Sequence, residues 1–147
     1  MQRVERTARL AASPDQVFAY ISDLDSLAEW QGGVTSAHHT SEGGMRTGAT
    51  AEVTREMMGQ RIVAPLLVTA YEPPRLLGIA SKVSGVEADA TLELSPADDG
   101  AATDLAFAME IRGSGVTSFM EPMIAGAARG DIEASLERLQ AKFDGAG

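Results

Sequence analysis

Two stretches decide the fold: Val86-Glu87-Ala88-Asp89-Ala90-Thr91-Leu92-Glu93-Leu94 and Asp104-Leu105-Ala106-Phe107-Ala108-Met109-Glu110-Ile111-Arg112. In the first, Ala88, Ala90, Leu92 and Leu94 alternate with Glu87, Asp89, Thr91 and Glu93. In the second, Leu105, Phe107, Met109 and Ile111 fall on one face. Alternation with period two is the pattern of strands with one dry and one wet side. An antiparallel sheet accepts that pattern, whereas a parallel sheet is buried on both faces. Working outward, Ala49–Met57 repeats the pattern, with Ala51, Val53 and Met57 on one face. Turn signals separate the strands at Glu42-Gly43-Gly44, Gly59-Gln60, Pro73-Pro74, Ser84-Gly85 and Asp98-Asp99-Gly100. Five turns between Val34 and Arg112 join six strands in a meander. No helix interrupts them, which excludes βαβ folds.

Upstream, Arg3–Leu10 reads as a first strand. Ser13-Pro14-Asp15-Gln16 then has the form of a helix start. Ser13 caps, Pro14 suits the first helical position, and Gln16 completes a capping box. Val17, Ile21 and Leu24 follow at helical spacing. Asp23–Trp30 forms a second short helix, ended by Gln31-Gly32-Gly33. Downstream, Ile132, Leu136, Leu139 and Phe143 lie at i, i+4, i+7 and i+11, one stripe of a long helix. Projected backward, the stripe reaches Ala128, Ala125 and Ile124. The helix begins at Pro122, or at Ser118 if Ser118 and Glu121 form a capping box.

The chain has 147 residues, enough for one domain over 1–147. Cysteine is absent, so thiolate metal sites, thiol nucleophiles and disulfides are excluded. The formal net charge is −9, and seven acidic residues with no Lys or Arg lie between Val83 and Ile111. A nucleic-acid partner needs a basic face, so none is expected. No run reaches the roughly 18 apolar residues of a membrane span, and no signal peptide opens the chain. A cytoplasmic location is expected.

The order is strand, two short helices, six-strand meander, long helix. It resembles the helix-grip fold of the START, polyketide cyclase/dehydrase and birch-pollen-allergen superfamily. Three segments carry the resemblance: Ala12-Ser13-Pro14-Asp15-Gln16-Val17-Phe18-Ala19-Tyr20-Ile21-Ser22-Asp23 with Trp30, Val68-Thr69-Ala70-Tyr71-Glu72-Pro73-Pro74-Arg75, and Leu136–Phe143. The resemblance implies an α+β fold, with a curved seven-stranded antiparallel sheet around the long C-terminal helix. It also implies a cavity between sheet and helix for an apolar or amphipathic small molecule. The superfamily includes both enzymes and pure binders.

Small residues point to the same cavity. Ala125 and Ala128 on the helix oppose Ala49, Ala51, Ala88 and Ala90 on the strands, which leaves a void or a closer approach of the elements. Arg55 shares strand parity with Val53 and Met57, so it points inward. There it suits a ligand carboxylate or carbonyl, unless it pairs with Glu52 or Glu56 or a bulge near Gly59 turns it outward. The expected ligand contacts are Trp30, Arg55, Met57, Leu92, Phe107, Met109, Ile124, Ala125 and Ala128. Trp30 is either a core plug or a cavity wall. His38 and His39 are adjacent on a strand and point to opposite faces, so they cannot chelate one metal together. They are two partly exposed histidines near a hairpin, or one enters the cavity and the other meets solvent, and either is a candidate for acid–base work. Tyr71 is a further catalytic candidate or a strand end. Phe119, Met120, Met123 and Ile124 form an entrance gate, a partner or homodimer contact, or core.

No G-x-S-x-G, Walker loop, G-x-G-x-x-G or H-E-x-x-H occurs, and neither metal nor cofactor is expected. Three functions fit. The first is a binding protein for a lipid, polyketide or isoprenoid. The second is a cyclase/dehydratase-like enzyme that positions its substrate, and the third is an interaction module with a filled cavity. Two or more convergent polar groups in the cavity favour the enzyme, and a dry apolar cavity favours the carrier.

Overall fold

The two alternating stretches pair with each other. A computed structural model describes residues 2–31, 34–57, 59–83 and 85–144. In it, Ala90 lies opposite Met109, Leu92 opposite Phe107 and Leu94 opposite Leu105. The strands are β1 (Gln2–Leu10), β2 (Val34–His39), β3 (Thr50–Met57), β4 (Gln60–Glu72), β5 (Leu76–Val83), β6 (Val86–Ala97) and β7 (Ala102–Gly113). They form one antiparallel sheet in the order β1-β7-β6-β5-β4-β3-β2. Strands β2 to β7 are the expected meander, and β1 closes against β7.

Between β1 and β2 lie α1 (Pro14–Ile21), a 3-10 turn (Leu24–Ser26) and α2 (Leu27–Trp30). The capping box forms: Ser13 Oγ accepts from the Gln16 amide at 3.3 Å, and Gln16 Oε1 accepts from the Ser13 amide at 3.1 Å. It satisfies donors that the first helical turn leaves open. Val17, Phe18 and Ile21 are buried. The long helix α3 runs Glu121–Asp144 behind a 3-10 turn at Gly115–Met120. That turn displaces the alternative start at Ser118. Pro122 stands in the first turn, where its missing N–H costs nothing. The sheet curves around α3, which lies against β1, β7 and α2. This is the helix-grip arrangement.

The acidic stretch from Val83 to Ile111 is neutralised across the ladder. Arg9 lies opposite Asp104 and bonds it at 2.8 Å, and Arg3 lies opposite Glu110 and also bonds it at 2.8 Å. Arg112 lies opposite Glu87 and bonds both Glu87 and Asp89. These pairs lie on the wet face, while Val4, Leu92, Leu105, Phe107 and Ile111 fill the dry one.

Curvature comes partly from irregular pairing. The β4–β5 register shifts between Val68 and Ala70. Gly78 sits opposite this shift, where a Cβ would stand 2.7 Å from Thr69 Oγ1 and 3.2 Å from Ala70 Cβ. Gly78→Ala is expected to destabilise the fold by ~1–3 kcal/mol through this overpacking. Gly126 in α3 has open space around its Cβ position, so Gly126→Ala should stabilise by ~0.5–1 kcal/mol. Urea unfolding of the two variants checks both signs.

Candidate functional site

Of the facing alanines, Ala88, Ala90 and Ala128 border a void, whereas Ala49, Ala51 and Ala125 are buried without lining it. A cavity of about 710 Å³ lies between the sheet and the N-terminal half of α3. Ligand pockets commonly span roughly 300–1,000 Å³. Ala64 of β4, Ala88 and Ala90 of β6 and Ala128 of α3 line it, among larger apolar residues such as Ile62, Leu66 and Phe107. Toward the β3–β4 and β5–β6 hairpins the wall ends in Gln60, Arg61, Val83 and Val86. There Met120 lines the cavity while remaining 40% exposed.

Arg55 points inward, as its parity requires. It lines the cavity half-buried and makes no hydrogen bond or ion pair with the described residues. Neither Glu52 nor Glu56 pairs with it, and Glu52 instead approaches His38 on the other face. Burial lowers the guanidinium's pKa, and the charge of Asp131 partly restores it. Asp131, on α3, lines the same cavity. Burial raises its carboxyl above the ordinary 3.8, while Arg55 and then Arg138 pull it back. The cavity thus holds a cation on the sheet and a carboxyl on the helix that do not close into an ion pair.

Asp131 escaped the sequence reading, although it left a signal. Ile124, Ala128, Asp131 and Ser135 recur at i, i+4, i+7 and i+11, and all four line the cavity. This stripe runs beside the one read from Ile132 to Phe143. The presence of two adjacent stripes explains why Ala125 is 1% exposed yet absent from the cavity wall. Gln31 was also missed: it caps α2 and is buried against the cavity.

Of the expected contacts, Arg55, Phe107, Met109, Ile124 and Ala128 line the main cavity. Trp30 and Leu92 line a separate annex of about 20 Å³. The Met57 side chain lies outside the described residues. Both His38 and His39 are exposed, as the reading of two exposed histidines near a hairpin has it, and neither lines the cavity. His38 lies opposite Glu52, with Nε2 3.7 Å from its carboxylate. His39 has inward parity opposite Ala51, but it ends the edge strand β2, where the sheet is open to solvent. Tyr71 stacks on Phe18 with ring centroids 5.5 Å apart, at the end of β4, and does not line the cavity. Phe119 and Met123 are 86% and 53% exposed, which removes the core reading for those two, while Ile124 packs against the core. Among the described residues no group of three or more His, Asp or Glu is placed to hold a metal. No described helix is long and apolar enough to cross a membrane.

The model of one protein family, described as polyketide cyclase/dehydrase and lipid transport, matches residues 1–144. The chain belongs to that family. An uncharacterized protein of Mycobacterium tuberculosis, Rv1546, is 28% identical over 141 residues, covering 94% of this chain and 96% of its own. Among solved structures, the Zhui aromatase/cyclase from Streptomyces sp. R1128 superposes with a TM-score of 0.81 at 14% identity, covering 97% of this chain and 93% of that one. A START superfamily protein from Mycobacterium smegmatis gives 0.80 at 15% identity, with 99% of each chain covered. The di-domain aromatase/cyclase BexL gives 0.76 at 16% identity; the match covers 95% of this chain but only 45% of BexL. At such identities these structures speak for the polyketide cyclase/dehydrase and lipid-transport fold and not for an activity.

Two measurements test this geometry. Ala128→Leu fills open space, so its stability should be unchanged or improved by up to ~1–2 kcal/mol. Ala125→Leu meets packed atoms and should lose ~1–3 kcal/mol. Asp131 makes stability depend on pH. Its protonated form is favoured in the folded state, so this contribution is full below 3.8 and lost as pH rises through the elevated folded value. Asp131→Asn lacks this titration. Relative to wild type, its stability should therefore rise across that window and level off above it, as read by urea unfolding from acid to neutral pH.

Proposed function

We propose that the protein binds a small hydrophobic or amphipathic molecule, of lipid, polyketide or isoprenoid type, with Arg55 receiving a carboxylate or carbonyl oxygen. One observation carries the reading: a cavity of about 710 Å³, largely apolar, whose wall holds an arginine without a structural partner. A guanidinium removed from water and left unpaired is unfavourable until an acceptor arrives. A ligand oxygen supplies that acceptor, and the apolar walls bury the remainder. The family description names lipid transport beside cyclisation, in keeping with this class of ligand. An interaction module requires a filled cavity, and the open volume counts against it.

Asp131 favours a second reading, a cyclase/dehydratase-like enzyme. A carboxyl with a raised pKa exchanges protons nearer neutrality than an ordinary aspartate does. Beside it, Arg55 stays charged and can polarise a carbonyl without acting as a base. The two groups together meet the expectation of convergent polar residues, although neither histidine nor Tyr71 takes part.

Native mass spectrometry of freshly purified protein should show an added small-molecule mass that unfolding releases. Decanoate and decanol then test Arg55. Arg55→Met should weaken decanoate binding roughly ten- to a hundredfold, the equivalent of ~1.5–3 kcal/mol for a charged hydrogen bond. Decanol binding and stability should change little. Equal weakening of both ligands, or a large loss of stability, would assign Arg55 to the structure.

A further inference from the structure

Gln31 brings an uncommitted amide to the ligand cavity. The residue is 8% exposed, and both of its backbone groups are engaged. Its N–H donates to the Leu27 carbonyl at 2.9 Å, and its carbonyl accepts from the Val34 N–H at 3.3 Å. Its side-chain amide makes no hydrogen bond with the described residues. Among those residues, Trp30 Nε1 is the one fully sealed side-chain polar atom without a partner. The Gln31 amide atoms are therefore not sealed, and they keep surface within reach of a small molecule. The spaces that Gln31 borders are the main cavity and the small annex.

The β2–β3 ladder determines what stands beside that amide. Val34, whose N–H holds the Gln31 carbonyl, lies directly opposite Arg55. Gln31 thus meets the cavity on the Arg55 side, from a backbone held at both of its polar groups. The other polar wall is α3, with Asp131 and Ser135. There the Ser135 hydroxyl already donates to the Asp131 carbonyl at 2.6 Å.

Arg55 and Gln31 call for different partners. A guanidinium only donates, whereas a carboxamide donates through its nitrogen and accepts through its oxygen. A ligand carboxylate satisfies Arg55 and leaves Gln31 Oε1 without a donor. An ammonium would bring a second positive charge beside Arg55. A hydroxyl is neutral, donates to Oε1 and accepts from Nε2. Polar groups left unmet when a ligand excludes water cost affinity, so such a wall favours a ligand that carries both partners.

We propose that Gln31 is a specificity determinant that reads a hydroxyl on the carbon chain close to the oxygen held by Arg55, so that the cavity prefers hydroxylated acids to plain ones. The inference rests on the ligand-binding reading above and narrows its ligand class. A resident water offers the amide the same chemistry, and the test separates the two.

The probes are decanoate, 2-hydroxydecanoate, 3-hydroxydecanoate and 10-hydroxydecanoate, measured by calorimetry. In wild type the better of the 2- and 3-hydroxy acids should bind about tenfold more tightly than decanoate, the equivalent of one buried hydrogen bond. The 10-hydroxy acid should gain nothing, because its hydroxyl lies at the far end of the chain. Gln31→Leu should erase the hydroxyl's advantage and leave decanoate binding little changed. Without ligand, this variant should unfold at the same or a higher urea concentration, since no protein partner is orphaned. Equal wild-type affinities for decanoate and the hydroxy acids would leave the amide to water and overturn the inference, with the cavity reading standing. An equal gain from the 10-hydroxy acid would overturn it, as would an advantage that survives Gln31→Leu and so belongs to Asp131 or Ser135. Failure of all four acids to bind would remove the cavity reading itself. If Gln31→Leu does not fold, Gln31→Met decides by the same ratio, and failure of both to fold would assign the amide to the structure and overturn the inference.

Discussion

Along α3 the buried side chains change from Ala125 and Ala128 to Ile132, Leu136 and Leu139, and the rest of the interior follows from that change of size. Burying each large residue contributes about 1.5–3 kcal/mol, so the C-terminal half anchors the helix to the sheet. The N-terminal half cannot fill the same gap. A rigid helix fixed at one end cannot settle onto a curved sheet at the other, and the sheet cannot flatten because β6 and β7 pair without interruption from Val86 to Ala97. The void is therefore a consequence of side-chain size along one helix. Ala88 and Ala90 enlarge it, and the exposed Met120 brings it to the surface.

Charge is distributed to suit this plan. Cross-strand arginines meet the acidic stretch on the wet face, where each pair is weak alone but prevents like charges such as Asp89 and Glu110 from facing one another unscreened. Behind the exposed Arg61 at the cavity's rim stand two further charged groups, Arg55 on the sheet and Asp131 on α3, which feel each other's charge and are not bonded to each other. A closed buried ion pair would be structural and hard to separate. An open one leaves the guanidinium able to accept a ligand.

Much of this was legible in sequence because it depends on local periods. Alternation in Val86–Leu94 and Asp104–Arg112 set the strand faces, Ser13-Pro14-Asp15-Gln16 set a helix start, and parity alone turned Arg55 inward. Other features depended on position within the sheet or on two stripes sharing one helix. His39 has inward parity but ends the edge strand, and no period reports which strand is the edge. Asp131 was hidden because Ile132 beside it drew attention to the stronger apolar stripe. That the Trp30 N–H has no acceptor among the described residues is a fact of three dimensions: the sequence shows a tryptophan at the end of a short helix but not what surrounds its nitrogen.

Asp131 also decides what Arg55 offers a ligand. When the carboxyl is ionised, it screens the guanidinium, and the pair presents a dipole suited to a neutral carbonyl. When it is protonated, Arg55 stands as a net positive charge in a low-dielectric wall, which favours an anion. Burial raises the Asp131 carboxyl, and Arg55 and Arg138 oppose that rise, so on the proposed binding function the three groups together would set the pH at which the cavity exchanged one preference for the other. A carrier needs only one of these states. An enzyme that moves a proton on a polarised carbonyl needs both, with Asp131 changing state while Arg55 does not. The distinction between the two functions thus reduces to whether a bound ligand brings its carbonyl to Arg55 and its exchangeable proton to Asp131 at the same time.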